Sequence, residues 1–490
     1  MARRSAPATA AGAAARGERP AQGRPRPGRH RRQEGPPRGA RGEWRVAAEL
    51  FPPLDAGAQA ALERLPGALA RVRPLSAAHR RSLPEDIAEL SRALTAERAE
   101  LRRPYWSRPA FVSAYLYYFL PWNLVRLARL FRGLPLPPPG TGKGPALLLD
   151  AGSGPLTVPL ALWIARPQWR GAPIQVLALD SAAQPLELGR ALFAALAREL
   201  GEPVWPVRLA RGPLESLASR AQPLLAAGGR PWLVTAANVL NEVRPPRGGR
   251  GGGVAEDVED EEDDGGSGLP PDMLEIQLDR LLSAWSPLLA PTADAGEAGG
   301  APEGSPALLL VEPGTRLGGT TLMRLRELAV EGGLHAVAPC TADTPCPLRR
   351  GAWCHFTFSP AGAPRWLAEL SAAAGLAKRS LSLSPLLLRA GTEAVGAAPA
   401  DRENPPALTA RVLSSPFTVP GLSGLARYAC APCGLALLED AGALASGSLV
   451  SLGAARAGAH GAEKPRRDAR SGARIFAPPK RVSRGPRKKS

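Results

Sequence analysis

The stretch L147-L-L-D-A-G-S-G-P-L-T157 decides the fold. Three consecutive leucines end on Asp150, a glycine turn follows, and a helical pattern begins near Thr157. Gly152 and Gly154 lack Cβ atoms, so the backbone there can turn sharply and come close to a ligand. Asp150, at the strand end, is placed either to orient that turn or to meet a ligand ammonium. Further apolar runs recur at Val176–Leu179, Trp232–Thr235 and Ala307–Val311, with helical stretches between most of them. Short apolar runs separated by helices predict an α/β fold, a parallel sheet covered by helices on both faces.

The second run, V176-L-A-L-D180, also ends in a carboxylate. An acid at this place accepts hydrogen bonds from ribose hydroxyls. A dinucleotide site would prefer G-x-G-x-x-G, and the last position here is Thr157. The pattern therefore suits S-adenosylmethionine, which needs ribose recognition and no pyrophosphate cradle, with Asp150, Gly152, Gly154 and Asp180 as cofactor-binding candidates. The alternative is an ordinary α/β turn. The third run continues as T235-A-A-N-V-L-N-E-V243. Open α/β sheets bind ligands at strand carboxyl ends, which makes Asn238, Asn241 and Glu242 the catalytic candidates. An asparagine can position a base amine for methyl transfer, and equally it can cap a helix. Glu312, in V311-E-P-G-T315, is a site residue or a turn anchor.

Composition divides the chain further. The net charge of +18 sits in the ends: residues 1–45 carry a net +9 and residues 456–490 a net +10, which leaves the body near −1. Both ends are rich in Arg, Pro, Gly and Ala without apolar periodicity and read as disordered basic tails that bind polyanions through phosphate contacts. Residues 46–134 read as a helical region, with amphipathic spacing from Glu85 to Arg103. The apolar run Tyr115–Phe131, broken by Pro121, Asn123, Arg126 and Arg129, reads as a buried helix pair and not as a membrane span. Residues 143–335 form the expected Rossmann-like core, interrupted at 244–270 by a Gly-rich, then acidic insert expected to be disordered. A Pro/Gly/Ala loop covers Pro291 to Pro306, and a helix is expected from about Thr320 to Glu331.

All five cysteines lie in the last third of the chain. Cys340, Cys346 and Cys354 are spaced C-x5-C-x7-C, and Cys430 and Cys433 lie in Y428-A-C-A-P-C-G434. They are too few and too clustered for a secreted disulfide framework. Zinc modules bring ligands in close pairs, whereas spacings of five and seven suit a loop wrapped around a larger object. Residues 336–440 are therefore expected to form a cysteine lobe together with the remaining core strands. No secretory h-region follows the first arginines, which points to a cytoplasm-like compartment, the bacterial cytoplasm. The Arg-rich, acid-poor start leaves the mitochondrial matrix as the alternative.

Four segments, D150-A-G-S-G154, N238-V-L-N-E242, V311-E-P-G-T315 and A338-P-C…C-P-L…W-C-H-F356, resemble the Rsm twenty-two family of small-ribosomal-subunit proteins. The resemblance covers roughly residues 105 to 440. It implies a class I S-adenosylmethionine methyltransferase fold with an added four-cysteine site holding a [4Fe–4S] cluster, zinc being the alternative. It implies association with the small ribosomal subunit and its rRNA, with no membrane, as a monomer. Cys340, Cys346 and Cys354 match the first three cluster ligands, and Cys430 matches the fourth; Cys433 departs from the family pattern. Leu156 departs too, since many methyltransferases have a glycine there, and its side chain is placed to crowd the cofactor. Two functions follow: a methyltransferase of small-subunit rRNA, or an assembly factor that binds rRNA with little or no catalysis. A radical enzyme would need C-x3-C-x2-C, which is absent.

Overall fold

Strand β1 (Gly42–Ala48) opens the described chain in a computed structural model that describes residues 42–95, 105–139, 144–240, 271–290, 305–348, 351–391, 408–453 and 465–478. Helix α1 (Ala56–Val72) follows, capped by Asp55, which accepts the Ala58 N–H at 2.8 Å and also holds Arg132. Helix α2 (Ala77–Thr95) begins earlier than the periodicity from Glu85 suggests, and its expected extension to Arg103 lies outside the described residues. The expected helix pair is instead one continuous rod. It consists of α3 (Pro109–Ala114), a π turn (Tyr115–Phe119) and α4 (Leu120–Gly133). Pro121 has no N–H to give the preceding turn, and the wider π turn just before it absorbs that loss. Among the described residues no helix is long and apolar enough to cross a membrane.

The central sheet contains β2 (Ala146–Ala151), β3 (Ile174–Asp180), β4 (Val207–Arg211), β5 (Arg230–Ala237), β6 (Ala307–Pro313), β7 (Leu334–Ala338), β8 (Phe356–Phe358) and β9 (Leu381–Ala390). Its order is β4-β3-β2-β5-β6-β9-β7, with β8 beside β9. The five strands from β4 to β6 are parallel, and β9 runs antiparallel to both β6 and β7. This is the doubly wound, Rossmann-like arrangement that the four apolar runs predict. Side-chain alternation explains why those runs are continuously apolar. Leu148, Val176 and Leu309 face one cluster with α1, α4, α5 (Thr157–Ala165) and α6 (Ala183–Leu200). Leu147, Leu149, Leu177 and Leu308 face another with α7 (Leu217–Ala226), α8 (Pro271–Leu289) and α9 (Arg316–Glu331). Helix α10 (Arg365–Ala373) packs against α2 and the π turn and buries Leu367. From β2 the order runs one way to β3 and the other way to β5, so a crevice opens at their carboxyl ends.

The second body is a closed barrel. Strands β10 (Leu408–Val412), β11 (Arg427–Ala431), β12 (Gly434–Leu438), β13 (Leu449–Gly453) and β14 (Arg474–Ala477) join β1 in the order β1-β13-β10-β11-β12-β14, and parallel pairing of β14 with β1 closes the ring. Its interior is narrow and lined by small residues such as Ala410, Ala429 and Ala436, around Trp44 and Phe476. Trp44 Nε1 donates to the Glu439 carbonyl at 3.0 Å.

The barrel corrects three boundaries. Strand β1 straddles the expected junction of tail 1–45 and helical region 46–134. Residues 465–478, expected within the tail 456–490, are packed against the barrel and include β14. The expected lobe 336–440 is divided, since β7, β8 and β9 complete the sheet while β10, β11 and β12 belong to the barrel. Strands of four to seven residues, with β1 paired to strands almost a whole chain away, leave no local period to read. Residues 1–41 and 479–490, the insert 244–270 and most of the Pro291–Pro306 loop lie outside the described residues.

Phe476 is 2% exposed in the barrel core. Phe476→Ala should cost about 3–5 kcal/mol in denaturant unfolding. A change within about 0.5 kcal/mol, as expected of a surface position, would return this segment to the tail.

Candidate functional site

The glycine turn sits at the carboxyl end of β2, and its backbone is held by a carboxylate. Asp180, at the end of β3, accepts the Gly154 N–H at 2.9 Å through Oδ2 and the Ala182 N–H at 2.9 Å through Oδ1. It therefore ties the turn to the start of α6 and remains part-exposed at the crevice. The two glycines do different work. Gly152 has φ +70°, and a Cβ there would lie 2.2 Å from Val239 Cγ1. Gly154 has φ +52° and open space where a Cβ would be. Gly152 is thus a packing requirement, and Gly154 is the face a ligand can approach.

Asp150 is fully buried, and its Oδ1 accepts the Thr235 hydroxyl at 2.6 Å. Burial pushes its carboxyl up to about 7, against the pull of the nearby Ser153 hydroxyl and of its hydrogen bond to Thr235, with the Asp180 charge adding to the rise. Of the two sequence alternatives, orienting the turn is the one its burial allows. Leu156 is also fully buried, in the main apolar core, so its side chain is not an exposed wall of the crevice. Its backbone is left-handed, φ 57° and ψ 40°, at the start of α5. A glycine would be at ease there and a leucine is strained.

At the end of β5, Asn238 is half-buried and left-handed at φ 59°, and its N–H donates to the Val311 carbonyl at 2.8 Å. The next two amides, of Val239 and Leu240, donate to Glu312 Oε1 at 3.0 and 2.9 Å. Glu312 is fully buried and anchors this turn. Of the catalytic candidates, Asn238 alone is described, at the carboxyl end of β5; Asn241 and Glu242 lie outside the described residues.

The cysteines meet at a different place, the seam between sheet and barrel. Cys340, Cys346, Cys354 and Cys430 line one cavity with about 510 Å³ of empty space, including its open mouth. The first three come from loops flanking β7 and β8, and Cys430 comes from barrel strand β11. Cys433, in the β11–β12 turn, is exposed. Two groups fasten the loop that carries Cys340 and Cys346. Asp343 accepts His335 Nδ1 at 2.7 Å and the Ala336 N–H at 2.7 Å. Arg326 donates to the Ala342 and Thr344 carbonyls at 2.8 and 2.9 Å and from Nε to Cys340 Sγ at 3.2 Å. Ser384 holds the Cys354 carbonyl at 2.8 Å.

Burial, then the neighbouring thiols, push Cys354 well above the ordinary thiol value and Cys430 up to about 12. Burial also raises Cys340, partly offset by Arg326. Burial therefore favours the protonated form of Cys340, Cys354 and Cys430 unless a cation enters. Their chemistry fits a thiolate-bound metal group, being soft donors with cations beside them. The sulfurs stand around the cavity, and among the described residues no three His, Cys, Asp or Glu side chains are grouped tightly enough to hold one ion. Sequence reading missed Arg326 and the barrel's Arg411. The available signal was an arginine on the apolar face of α9, beside Leu322, Leu325 and Ala329, all buried.

Two stability predictions follow from the turn. Asp150 keeps its proton to about pH 7 when folded and loses it near 3.8 when unfolded. Its contribution is therefore full below about pH 4 and is lost as pH rises to about 7, by on the order of 4 kcal/mol. Asp150→Asn should flatten the stability difference across this window and be the more stable form at pH 8; parallel pH curves for the two proteins would refute this. At Leu156, alanine and glycine both vacate the core, but only glycine relieves the left-handed strain. Leu156→Gly should exceed Leu156→Ala in stability by about 1 kcal/mol, the reverse of the usual helix order, as measured by denaturant unfolding.

Comparison with solved structures finds similarity to a TehB-like SAM-dependent methyltransferase from Corynebacterium glutamicum, with 12% identity over 56% of this chain and 88% of that one and a TM-score of 0.21. It also finds an arsenic(III) S-adenosylmethionine methyltransferase from Chlamydomonas reinhardtii, with 14% identity over 58% and 76% and a TM-score of 0.25. No curated protein matches the sequence. The segment that matches a family model runs from β6 through the first three cysteines to α10: over residues 302–369 the chain matches the family described as Mitochondrial small ribosomal subunit Rsm22.

Proposed function

We propose that the chain is an S-adenosylmethionine-dependent methyltransferase of the small ribosomal subunit, acting on its rRNA. The observation that carries this reading is the crevice at the carboxyl ends of β2, β3 and β5. There Gly154 offers open backbone, and the part-exposed Asp180 still has lone pairs for ribose hydroxyls after its two amide bonds. Bound there, S-adenosylmethionine supplies a methyl group on a sulfonium that departs as a neutral thioether. Asp180 orients the ribose, Gly154 admits the ligand to the turn, and Asn238 accepts or donates a hydrogen bond at the acceptor side. Catalysis then comes from positioning, the acceptor's proton leaving to solvent.

The match to the Rsm22 segment supports the ribosomal subunit as partner and the mitochondrial matrix as compartment. The arginine-rich ends would add phosphate contacts. Cys340, Cys346, Cys354 and Cys430 would hold the metal group, a [4Fe–4S] cluster in preference to zinc. Sulfurs spread around a cavity suit a multi-atom group better than one ion. It would serve structurally, joining barrel to sheet, because metal-binding free energy becomes folding free energy.

The assembly factor remains the second reading, favoured by one observation. Of the two buried carboxylates at this edge, Glu312 holds the turn after β5 and Asp150 is sealed inside against Thr235 of β5, so neither is a free base. Calorimetric titration with S-adenosylmethionine, alongside methyl incorporation into isolated small-subunit RNA, separates the two. Binding is expected, and Asp180→Asn should weaken it by roughly 1.5–3 kcal/mol, about tenfold or more. No heat and no competition by S-adenosylhomocysteine would eliminate the enzyme and leave the assembly factor. Binding without methyl incorporation would do the same for catalysis alone.

A further inference from the structure

Two arginines border the cysteine cavity, one from each body. Arg326 projects from α9 on the sheet side and is 5% exposed; Arg411 projects from barrel strand β10 and is 6% exposed. Arg326 donates to two loop carbonyls and to Cys340 Sγ. Arg411 donates to the Pro339 carbonyl at 3.0 Å and the Gly447 carbonyl at 2.9 Å, and its strand register sets it opposite Cys430. Among the described residues neither forms a salt bridge with a carboxylate; Asp343, the nearest acid to Arg326, is engaged with His335. Carbonyl dipoles solvate a guanidinium but do not cancel its charge, and a buried charge without a counter-charge is costly. Both arginines instead line the cavity with the four cysteines, Arg326 Nε lying 3.2 Å from Cys340 Sγ and Arg411 standing opposite Cys430 in the barrel sheet. Four thiolates around a divalent cation leave about two negative charges, the amount two guanidiniums cancel.

We propose that Arg326 and Arg411 are the counter-ions of an anionic thiolate–metal group in this cavity and position its sulfur ligands from opposite sides of the seam. The inference rests on the reading of the cavity as a metal centre and adds the charge balance that reading requires. It also accounts for the split origin of the two residues. A cation from the barrel and a cation from the sheet both lose their partner if the group leaves, so its departure loosens the seam from either side.

The test uses the full chain, purified without oxygen, as wild type, Arg326→Gln, Arg411→Gln, Arg326→Lys and Arg411→Lys. Metal and sulfide are counted per chain, the rate of metal loss to a chelator is followed, and thermal midpoints are recorded. Sulfide with iron identifies the cluster, and one zinc without sulfide identifies the single ion. The glutamine variants should lose metal roughly ten- to a hundredfold faster than wild type, with the lysine variants close to wild type because they keep the charge. For an iron–sulfur group, the glutamine variants should also shift its midpoint potential downward, an effect that a purely packing role would not give. Wild type holding metal while both glutamine variants release it at the same rate would overturn the counter-ion role and leave the metal centre standing. Wild type without metal or sulfide would overturn the metal reading and the counter-ion role together. Should a glutamine variant fail to fold, its lysine counterpart decides: retention near the wild-type rate supports the charge role, and tenfold faster loss overturns it.

Discussion

Backbone amides at the carboxyl edge of the sheet must find acceptors once the strands end, and carboxylates supply them. Asp180 takes the amides of Gly154 and Ala182, and Glu312 takes those of Val239 and Leu240. Asp150, beneath them, takes the Thr235 hydroxyl. These bonds fix the shape of the crevice where β2 lies between β3 and β5. They also decide what each acid can do. Asp180 keeps an exposed edge and stays available to a ligand, whereas Asp150 and Glu312 are sealed inside. An acid that shapes a site is not thereby free to act as its base, and in this chain the two roles fall on different residues.

The same edge leads toward the cysteines. Strand β9 pairs antiparallel with β6, bringing Ser384 level with Glu312, and Ser384 holds the carbonyl of Cys354. Trp353 Nε1 donates to the Gly314 carbonyl at 3.3 Å, just past the end of β6. The cavity is thus rigidly connected to the sheet edge that forms the crevice, while its fourth cysteine and one of its arginines belong to the barrel. A group bound there would be coupled mechanically to both bodies.

Much of this was legible in the sequence. Four leucine- and valine-rich runs gave away the sheet because strands buried on both faces cannot alternate with polar residues. Asp150, Gly152, Gly154 and Asp180 could be placed at strand ends for the same reason. Strand β4, V207-R-L-A-R211, escaped notice because it is an edge strand with half-exposed residues, and β9 because Pro385 interrupts its apolar run and all its partners lie earlier in the chain. The barrel was invisible: its strands are short, its interior is rich in alanine, and two of them lie within Arg-rich segments whose composition resembles that of a solvated tail.

Local chemistry in the sequence by itself determined the α/β class, the turn with its two glycines, and the set of cysteines, because strand periodicity, positive φ and thiol donors are properties of neighbouring residues. Only the tertiary structure decided the rest. It separated Cys430 from Cys433 by lining the cavity with one and exposing the other, gave Gly152 to packing and Gly154 to open space, and turned Asp150 inward. It also set Arg326 and Arg411 across one cavity from residues far apart in the chain. Those outcomes depend on burial and on which distant segments meet, and burial is a property of the whole packed chain, with no counterpart in any short stretch of it.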